Sequence, residues 1–322
     1  MIDPVIFTIN LGNFTFSLHW YGVLAVIGIL VGEWFAEREM RRRGGDPEHL
    51  WEGLVWAIPA GIIGARLWYV LNDIMGGGQY YILNPGRIVR IWEGGLHWYG
   101  GMLFAGLAFY IYARSNKVDI RLILDACAPS LLIGQGIARL GNFINQELYG
   151  QPTDLPWGIP IDAMHRMPPW NDLVQFPLET TRFHPAFAYE MIWNFLTAGL
   201  LLWVAQRYAK KVKPIVTFAG WLIVAGIGRV WLESFRPDQP RLPGTGISYT
   251  RIVAAGMALA GILIVLVRYN VIRLPFLRQG PDTYVFAPVA SEDSLVPADK
   301  PEVAASESDD EDPLAEDESS SD

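Results

Sequence analysis

The chain of 322 residues is 51 % hydrophobic and holds 13 tryptophans, with a positive mean hydropathy, which excludes an ordinary water-soluble domain and points to a polytopic membrane protein. Its net charge of −8 averages two unlike regions: from Pro281 onward 14 acidic residues stand against Lys300 alone, a net −13 that leaves +5 on the rest. The single cysteine, Cys127, excludes an intrachain disulfide framework and a multi-cysteine metal site.

In chain order, the stretch IFTINLGNFTFSL alternates side chains around Gly12 and Asn13, a pattern that predicts a small hairpin at a membrane interface. Seven apolar segments then have the roughly 20-residue length that a spanning helix needs: Leu18 to Phe35, Leu50 to Leu71, Leu96 to Tyr112, Ile120 to Ala138, Ala186 to Ala205, Ile215 to Leu232, and Ile252 to Val267. Asp125 and Pro129 interrupt the fourth; Asp125, near the end of its span, can cap its own helix or pair with Arg121. No short basic leader precedes the first span, which is expected to stay in the mature protein.

Lysine and arginine in short loops fix direction. They crowd the first connection (Arg38, Arg41, Arg42, Arg43), the third (Arg114, Lys117, Arg121) and the fifth (Arg207, Lys210, Lys211, Lys213), and follow the last span as Arg268, Arg273 and Arg278. The second and sixth connections, with Arg87, Arg90, Arg236 and Arg241, are poorer and are expected to face outward. The N-terminus is then outside and the C-terminus inside. The longest connection, about Leu140 to Pro185, carries Trp157, Trp170 and seven prolines, which suits an irregular outer cap rather than another span. The expected organisation is a transmembrane body over 1–278 and, over 279–322, an acidic tail too poor in large apolar residues to offset its ordering entropy.

With direction assigned, polar residues can be placed by depth. Tyr21 enters the first helix from outside; Arg66 lies about 16 residues into the second, a rise of roughly 24 Å. His97 and Tyr99 open the third, Arg139 closes the fourth, Tyr189 and Glu190 open the fifth, and Arg229 with Glu233 ends the sixth. All fall in the outer half. Ionisable groups at this depth are costly unless paired or hydrated. Arg229 and Glu233, four apart on one helix face, can neutralise each other, and Arg66 can simply clamp neighbouring helices. Yet Arg66, Arg139 and Arg229 on three helices, facing Glu147, Glu190 and Glu233, exceed what one ion pair requires. Planar guanidiniums can hold a phosphate through two hydrogen bonds, so an anionic lipid headgroup is the simplest ligand. No Walker loop, HExxH or GxSxG is present, and no carboxylate pattern suits a metal. Neither cofactor nor metal nor nucleic acid is expected.

GIARLGNFINQELYG, Gly136 to Gly150, resembles the motif of the bacterial phosphatidylglycerol:prolipoprotein diacylglyceryl transferases, Gly-Arg-x-Gly-Asn-Phe-x-Asn-x-Glu-x-x-Gly. Arg139, Gly141, Asn142, Phe143, Asn145, Glu147 and Gly150 match it, whereas Ala138 stands where the family has glycine. HWYG from His19, the glycine-rich element from Gly94 to Gly101, HPxxxYE from His184 and GRVWLESFR from Gly228 resemble further family elements in the same order, so the likeness covers about Ile2 to Asn270. The resemblance implies transfer of the diacylglyceryl group of phosphatidylglycerol to the lipobox cysteine thiol of a preprolipoprotein, with a thioether formed and glycerol 1-phosphate released. It also implies seven spans, an outward N-terminus and residence in the bacterial cytoplasmic membrane, with the site toward the outer leaflet and the enzyme a monomer. By the same resemblance Arg139 and Arg229 are the essential cations, and Arg139, Arg229, Tyr21, Asn142, Glu147 and Gly150 bind phosphatidylglycerol. Glu233 joins the catalytic set, together with Tyr99, where many members have histidine, or His97 two residues earlier. Ala225, Ala186 and Phe187 depart from the family pattern.

The rival reading is a transporter of anionic lipid or small anions. It calls for internal repeats and a midplane site, and neither is evident in the sequence.

Overall fold

The computed structural model describes residues 2–12, 14–236, 241–274 and 280–286. A hairpin opens the chain, with β1 (Val5–Leu11) antiparallel to β2 (Phe14–His19). Eight α-helices follow among the described residues: α1 (Trp20–Arg42), α2 (Glu48–Met75), a single turn α3 (Tyr80–Leu83), α4 (Trp98–Ser115), α5 (Ile120–Ile144), α6 (Ala186–Arg207), α7 (Val216–Leu232) and α8 (Tyr249–Arg268). A helix falls on every one of the seven apolar segments. Five of them (α1, α2, α5, α6 and α8) are long and apolar enough to cross a membrane, and α7 is a shorter apolar helix of 17 residues. Large apolar side chains such as Val55, Trp56, Ile63, Leu103, Leu196 and Leu259 are exposed on the outside of the bundle. Water would not tolerate so continuous an apolar surface; lipid does. The chain is a multi-pass membrane protein.

Within lipid no hydrophobic force draws helices together, so close backbone approach through small residues does that work. Each of the three tightest pairs uses it. On α1 and α5, a Cβ added to Gly28 would sit 2.9 Å from the carbonyl oxygen of Gly134. Between α2 and α4, one added to Gly100 would sit 2.3 Å from that of Gly64. Gly226 of α7 meets Ala254 of α8 in the same way, at 2.4 Å. Larger side chains at these positions would force the pairs apart.

Two buried clusters run along the bundle. Ala36, Met40, Leu50, Ala113, Leu122, Ile123 and Ala126 fill one end, where the arginine-rich connections lie, and Leu132, Ile133, Ala198 and Leu201 fill the middle. The connection between α5 and α6 has no long helix. Tyr149, Ile161, Trp170 and Phe183 give it a core of its own, and isolated bridges tie Phe183 to Pro152 and Ile159. Arg166 is buried in that core, donating to the carbonyl oxygens of Ile161 at 2.9 Å and Phe176 at 2.6 Å.

Two expectations change. The fourth segment neither breaks at Pro129 nor ends at Ala138: α5 runs to Ile144 and carries Arg139, Gly141 and Asn142 in its last turns. Asp125 neither caps its own helix nor pairs with Arg121, because Arg121 is taken by Asp119 at 2.6 Å. Instead the Asp125 carboxylate accepts backbone N–H bonds from Ile215 at 2.5 Å and Phe218 at 2.8 Å, at the start of α7.

The chain after α8 also stays on the body further than Gln279. Arg268 donates to the carbonyl oxygens of Gly280 and Pro281, Arg121 to those of Pro281 and Thr283, and the Val285 N–H bonds Asp119. Lys213 pairs with Asp282 at 3.0 Å. The compact unit thus reaches Phe286. The disordered acidic tail was expected over 279–322; its residues 287–322 lie outside the described residues. Ending the chain after Phe286 is expected to leave the midpoint of thermal unfolding unchanged. Ending it after Gln279 removes these bonds and is expected to lower the midpoint by roughly 5–10 °C in detergent.

Candidate functional site

The motif that opens at Arg139 is built by the last turns of α5 and the tight turn after them. Gln146 and Leu148 adopt φ of 51° and 57°, a left-handed conformation that non-glycine residues take only when surrounding contacts hold it. Here the hold is plain. The Glu147 N–H bonds the carbonyl oxygen of Asn142 at 3.0 Å, and the Gln146 and Asp162 side chains and backbone bond each other. Gly150 ends the turn with its N–H on the carbonyl oxygen of His184 at 2.8 Å. A Cβ there would sit 2.7 Å from the carbonyl oxygen of Phe235, so only glycine lets the three chain segments meet.

One polar chain runs through this turn. Arg139 Nη2 donates to Glu190 Oε1 at 2.5 Å and its Nη1 to Asn142 Oδ1 at 2.8 Å. Asn142 Nδ2 donates in turn to Glu147 Oε1 at 2.7 Å, which also accepts from Asn145 at 3.3 Å. The Tyr21 ring lies against Gly141, whose missing side chain makes room for it. On α7, Arg229 pairs with Glu233 at 3.1 Å, and Glu233 Oε2 accepts from the Ser248 hydroxyl at 2.7 Å. Arg229 lies within electrostatic range of Arg139, Glu190, Glu233 and Arg236. The structure therefore gathers Arg139, Asn142, Glu147, Gly150, Tyr21, Arg229 and Glu233 at one end of α5, α6 and α7. Beyond Glu233, a small cavity of about 30 Å³ is lined by Arg236, Arg241, Gly246, Ser248 and Arg251.

A guanidinium carries five N–H groups, and Arg139 Nε is buried without a hydrogen-bond partner among the described residues. Arg139 and Arg229 are each charge-compensated by a carboxylate, Glu190 and Glu233.

Tyr99 and His97 form a second group, with defined neighbours on α2 and α4. Their rings stack at 5.5 Å, His97 faces Trp68 at 6.3 Å, and the His97 N–H bonds the carbonyl oxygen of Ala65 at 2.9 Å. Arg66 is a clamp. It donates to the carbonyl oxygens of Arg87, Ile88, Gly94 and Gly95 and lies over the rings of Tyr69 and Tyr81. Its guanidinium shapes the loop leading to His97, so the shared arginine layer reduces to Arg139 and Arg229.

Glu190, at the depth expected from sequence, is the direct partner of Arg139, and His184, which opens the HPxxxYE element, joins the site without having been given a role. The HPxxxYE spacing was the available signal: it sets His184 just before α6 and Glu190 within its first turns, so Tyr189 can reach back to His184 Nδ1 at 3.0 Å. Burial pushes the His184 imidazole below its ordinary value. The fold thus favours the neutral ring. Its contribution is complete above the unfolded-state value of about 6.5 and is lost as pH falls through the lower folded-state value. The unfolding midpoint is expected to decline on acidification below about pH 6.5, and His184→Gln is expected to flatten that decline.

The chain matches the prolipoprotein diacylglyceryl transferase family over residues 4–267. A phosphatidylglycerol–prolipoprotein diacylglyceryl transferase of Chloroflexus aggregans is 36 % identical over 251 residues, spanning 76 % of this chain and 81 % of that protein. Proteins of the same name from Corynebacterium glutamicum (37 % identical, 76 % and 77 % covered) and Bifidobacterium adolescentis (35 %, 73 % and 70 %) are similar over the same extent. The match takes in all of α1 to α7 and nearly all of α8, and with it every element of the site; the chain belongs to the prolipoprotein diacylglyceryl transferase family.

Proposed function

We propose that the paired arginines at the ends of α5 and α7 form the phosphate-binding centre of a phosphatidylglycerol–prolipoprotein diacylglyceryl transferase. The chain transfers a diacylglyceryl group from phosphatidylglycerol to a prolipoprotein, the activity for which its family is named. The observation that carries the site reading is the mutual proximity of Arg139 and Arg229, each with a carboxylate partner and each on a different helix.

The chemistry follows from that geometry. The lipobox cysteine sulfur attacks the glyceryl carbon that bears the phosphate. The new carbon–sulfur bond forms as the carbon–oxygen bond to phosphate breaks, and glycerol 1-phosphate leaves with the bonding pair. Negative charge grows on the departing phosphate, and Arg139 and Arg229 supply fixed donors to it in a water-poor setting, where such stabilisation is largest. The same positive field favours the thiolate over the thiol. Glu190, Asn142 and Glu233 hold the two guanidiniums in place; Glu147, itself bonded by Asn145, holds Asn142; Tyr21 packs beside them against Gly141. The thiol proton passes to a base on the α2–α4 side. His97, with the Tyr99 ring stacked on it, is the candidate for that role.

The transporter reading has no support beyond arginines within helices, and family membership disfavours it. The body, which reaches Phe286, takes seven spans, with α4 and α7 as the two short ones, the N-terminus outside and the arginine-rich loops on the cytoplasmic side. That orientation turns the α5–α7 end toward the outer leaflet of the bacterial cytoplasmic membrane, beneath the 145–185 cap. The enzyme acts as a monomer, and residues 287–322 take no part in chemistry.

Reconstitution with phosphatidylglycerol and a lipobox peptide tests this reading. Arg139→Ala and Arg229→Ala are each expected to lower turnover by about 100-fold or more; full turnover by either removes that arginine from the phosphate site. His97→Ala is expected to lower the rate and remove its rise with pH, and Tyr99→Phe to change it less. An unchanged profile in both variants would exclude both as the base.

A further inference from the structure

Asp125 lies at the opposite end of the bundle from the arginines, fully buried, and its contacts are not those of an isolated cap. Its Oδ2 accepts the Ile215 N–H and the Tyr284 hydroxyl at 2.9 Å, its Oδ1 accepts the Phe218 N–H, and Arg43 Nη1 approaches to 3.8 Å. Arg43 also donates to Tyr284 and to Thr217 in the first turn of α7, at 2.5 and 2.9 Å. The carboxylate on α5 is therefore bonded to the start of α7, with its charge offset by Arg43 just after α1 and a further hydrogen bond from Tyr284 of the segment after α8. Ile215 is held there at φ of 73°, which a β-branched residue adopts only when its surroundings impose it.

The register of the two helices gives this contact its consequence. Arg139 is 14 residues beyond Asp125 on α5, and Arg229 is 14 residues beyond Ile215 on α7. At the helical rise both distances come to about 21 Å. The helices run in the same direction, since Asp125 in the second turn of α5 meets the start of α7 and their arginines are again in mutual range at the far end. We propose that Asp125 is a positioning residue for the transfer reaction: by pinning the start of α7 to α5 it fixes the axial register that brings the Arg139 and Arg229 guanidiniums to one depth. A slip of one residue along either axis would part them by about 1.5 Å, enough to spoil a geometry in which two cations share one phosphate. The pairs Gly28–Gly134 and Gly226–Ala254 bind α5 to α1 and α7 to α8; the Asp125 node adds the axial tie between α5 and α7.

This inference rests on the phosphate role of Arg139 and Arg229, and its test reads the register directly so that the two can fail separately. Full-length protein in phosphatidylglycerol nanodiscs, with Cys127→Ala and nitroxide labels on cysteines placed at the lipid-exposed positions Leu140 and Ile227, gives a distance distribution across the two helix ends. Turnover per folded molecule and the KM for a lipobox peptide are measured alongside. Asp125→Ala is expected to broaden or shift that distribution, to lower kcat tenfold or more, and to leave the peptide KM within twofold. If Asp125→Ala yields no folded protein, the isosteric Asp125→Asn is read by the same criteria, since it keeps one acceptor and loses the charge. An unchanged kcat overturns the proposal, as does a lower kcat with an unchanged distance, or a loss of activity that merely tracks the loss of folded protein. A shifted register with full kcat overturns it too and also counts against the arginine pair as the phosphate site.

Discussion

A guanidinium held at membrane depth against a carboxylate on another turn or another helix is the interaction around which this protein is organised. An unpaired cation there is expensive, and an arginine buried fully in ion pairs is inert toward a ligand. Arg139 and Arg229 stand between these limits. Each has one carboxylate, Glu190 or Glu233, close enough to offset its charge, and the Arg139 Nε has no hydrogen-bond partner among the described residues. The surrounding amides and glycines serve this arrangement: Asn142 relays Arg139 to Glu147, and Gly141 and Gly150 open the space in which Tyr21, His184 and Phe235 close around the turn.

Other arginines in the chain show what the same side chain does when structure alone is at stake. Arg66 spends its donors on four backbone carbonyls and its face on two tyrosine rings, and Arg166 does likewise within the connection between α5 and α6. Irregular backbone in an apolar setting leaves carbonyl oxygens without partners. A buried guanidinium with five donors satisfies several of them at once. What marks a clamp is its partners, and side-chain type or depth alone does not reveal it.

The opposite end of the bundle is just as polar, for a different purpose. Arg43, Asp125, Tyr284 and Thr217 join α1, α5, α7 and the segment after α8 around one buried carboxylate. Burial and the neighbouring Asp125 raise the Tyr284 phenol above its ordinary value, so it remains a hydrogen-bond donor throughout the physiological range. Lipid offers the helices no hydrophobic force along their axes, so hydrogen bonds and ion pairs at helix ends are what can fix axial position.

The sequence by itself determined where the helices lie, because runs of about 20 apolar residues in a membrane have no alternative to the helix. The 139–150 motif and its companions were equally legible, since fixed spacing along one chain survives without coordinates. Tertiary structure alone decided which polar groups meet. Depth counted along a helix is blind to rotation about its axis and to contacts from distant segments, so Arg66 could be read either as a clamp or as a member of the layer of Arg139 and Arg229, and its donors on the 87–95 loop decide for the clamp. Asp125 was ambiguous for the same reason: its partners Ile215, Phe218 and Tyr284 lie 90 to 159 residues away. Composition made the chain beyond Gln279 look free, whereas residues 280–286 are held largely through their backbone, by Arg121, Arg268 and Asp119. Composition predicts what a segment can bury, and it carries no record of backbone groups that another part of the chain is placed to bind.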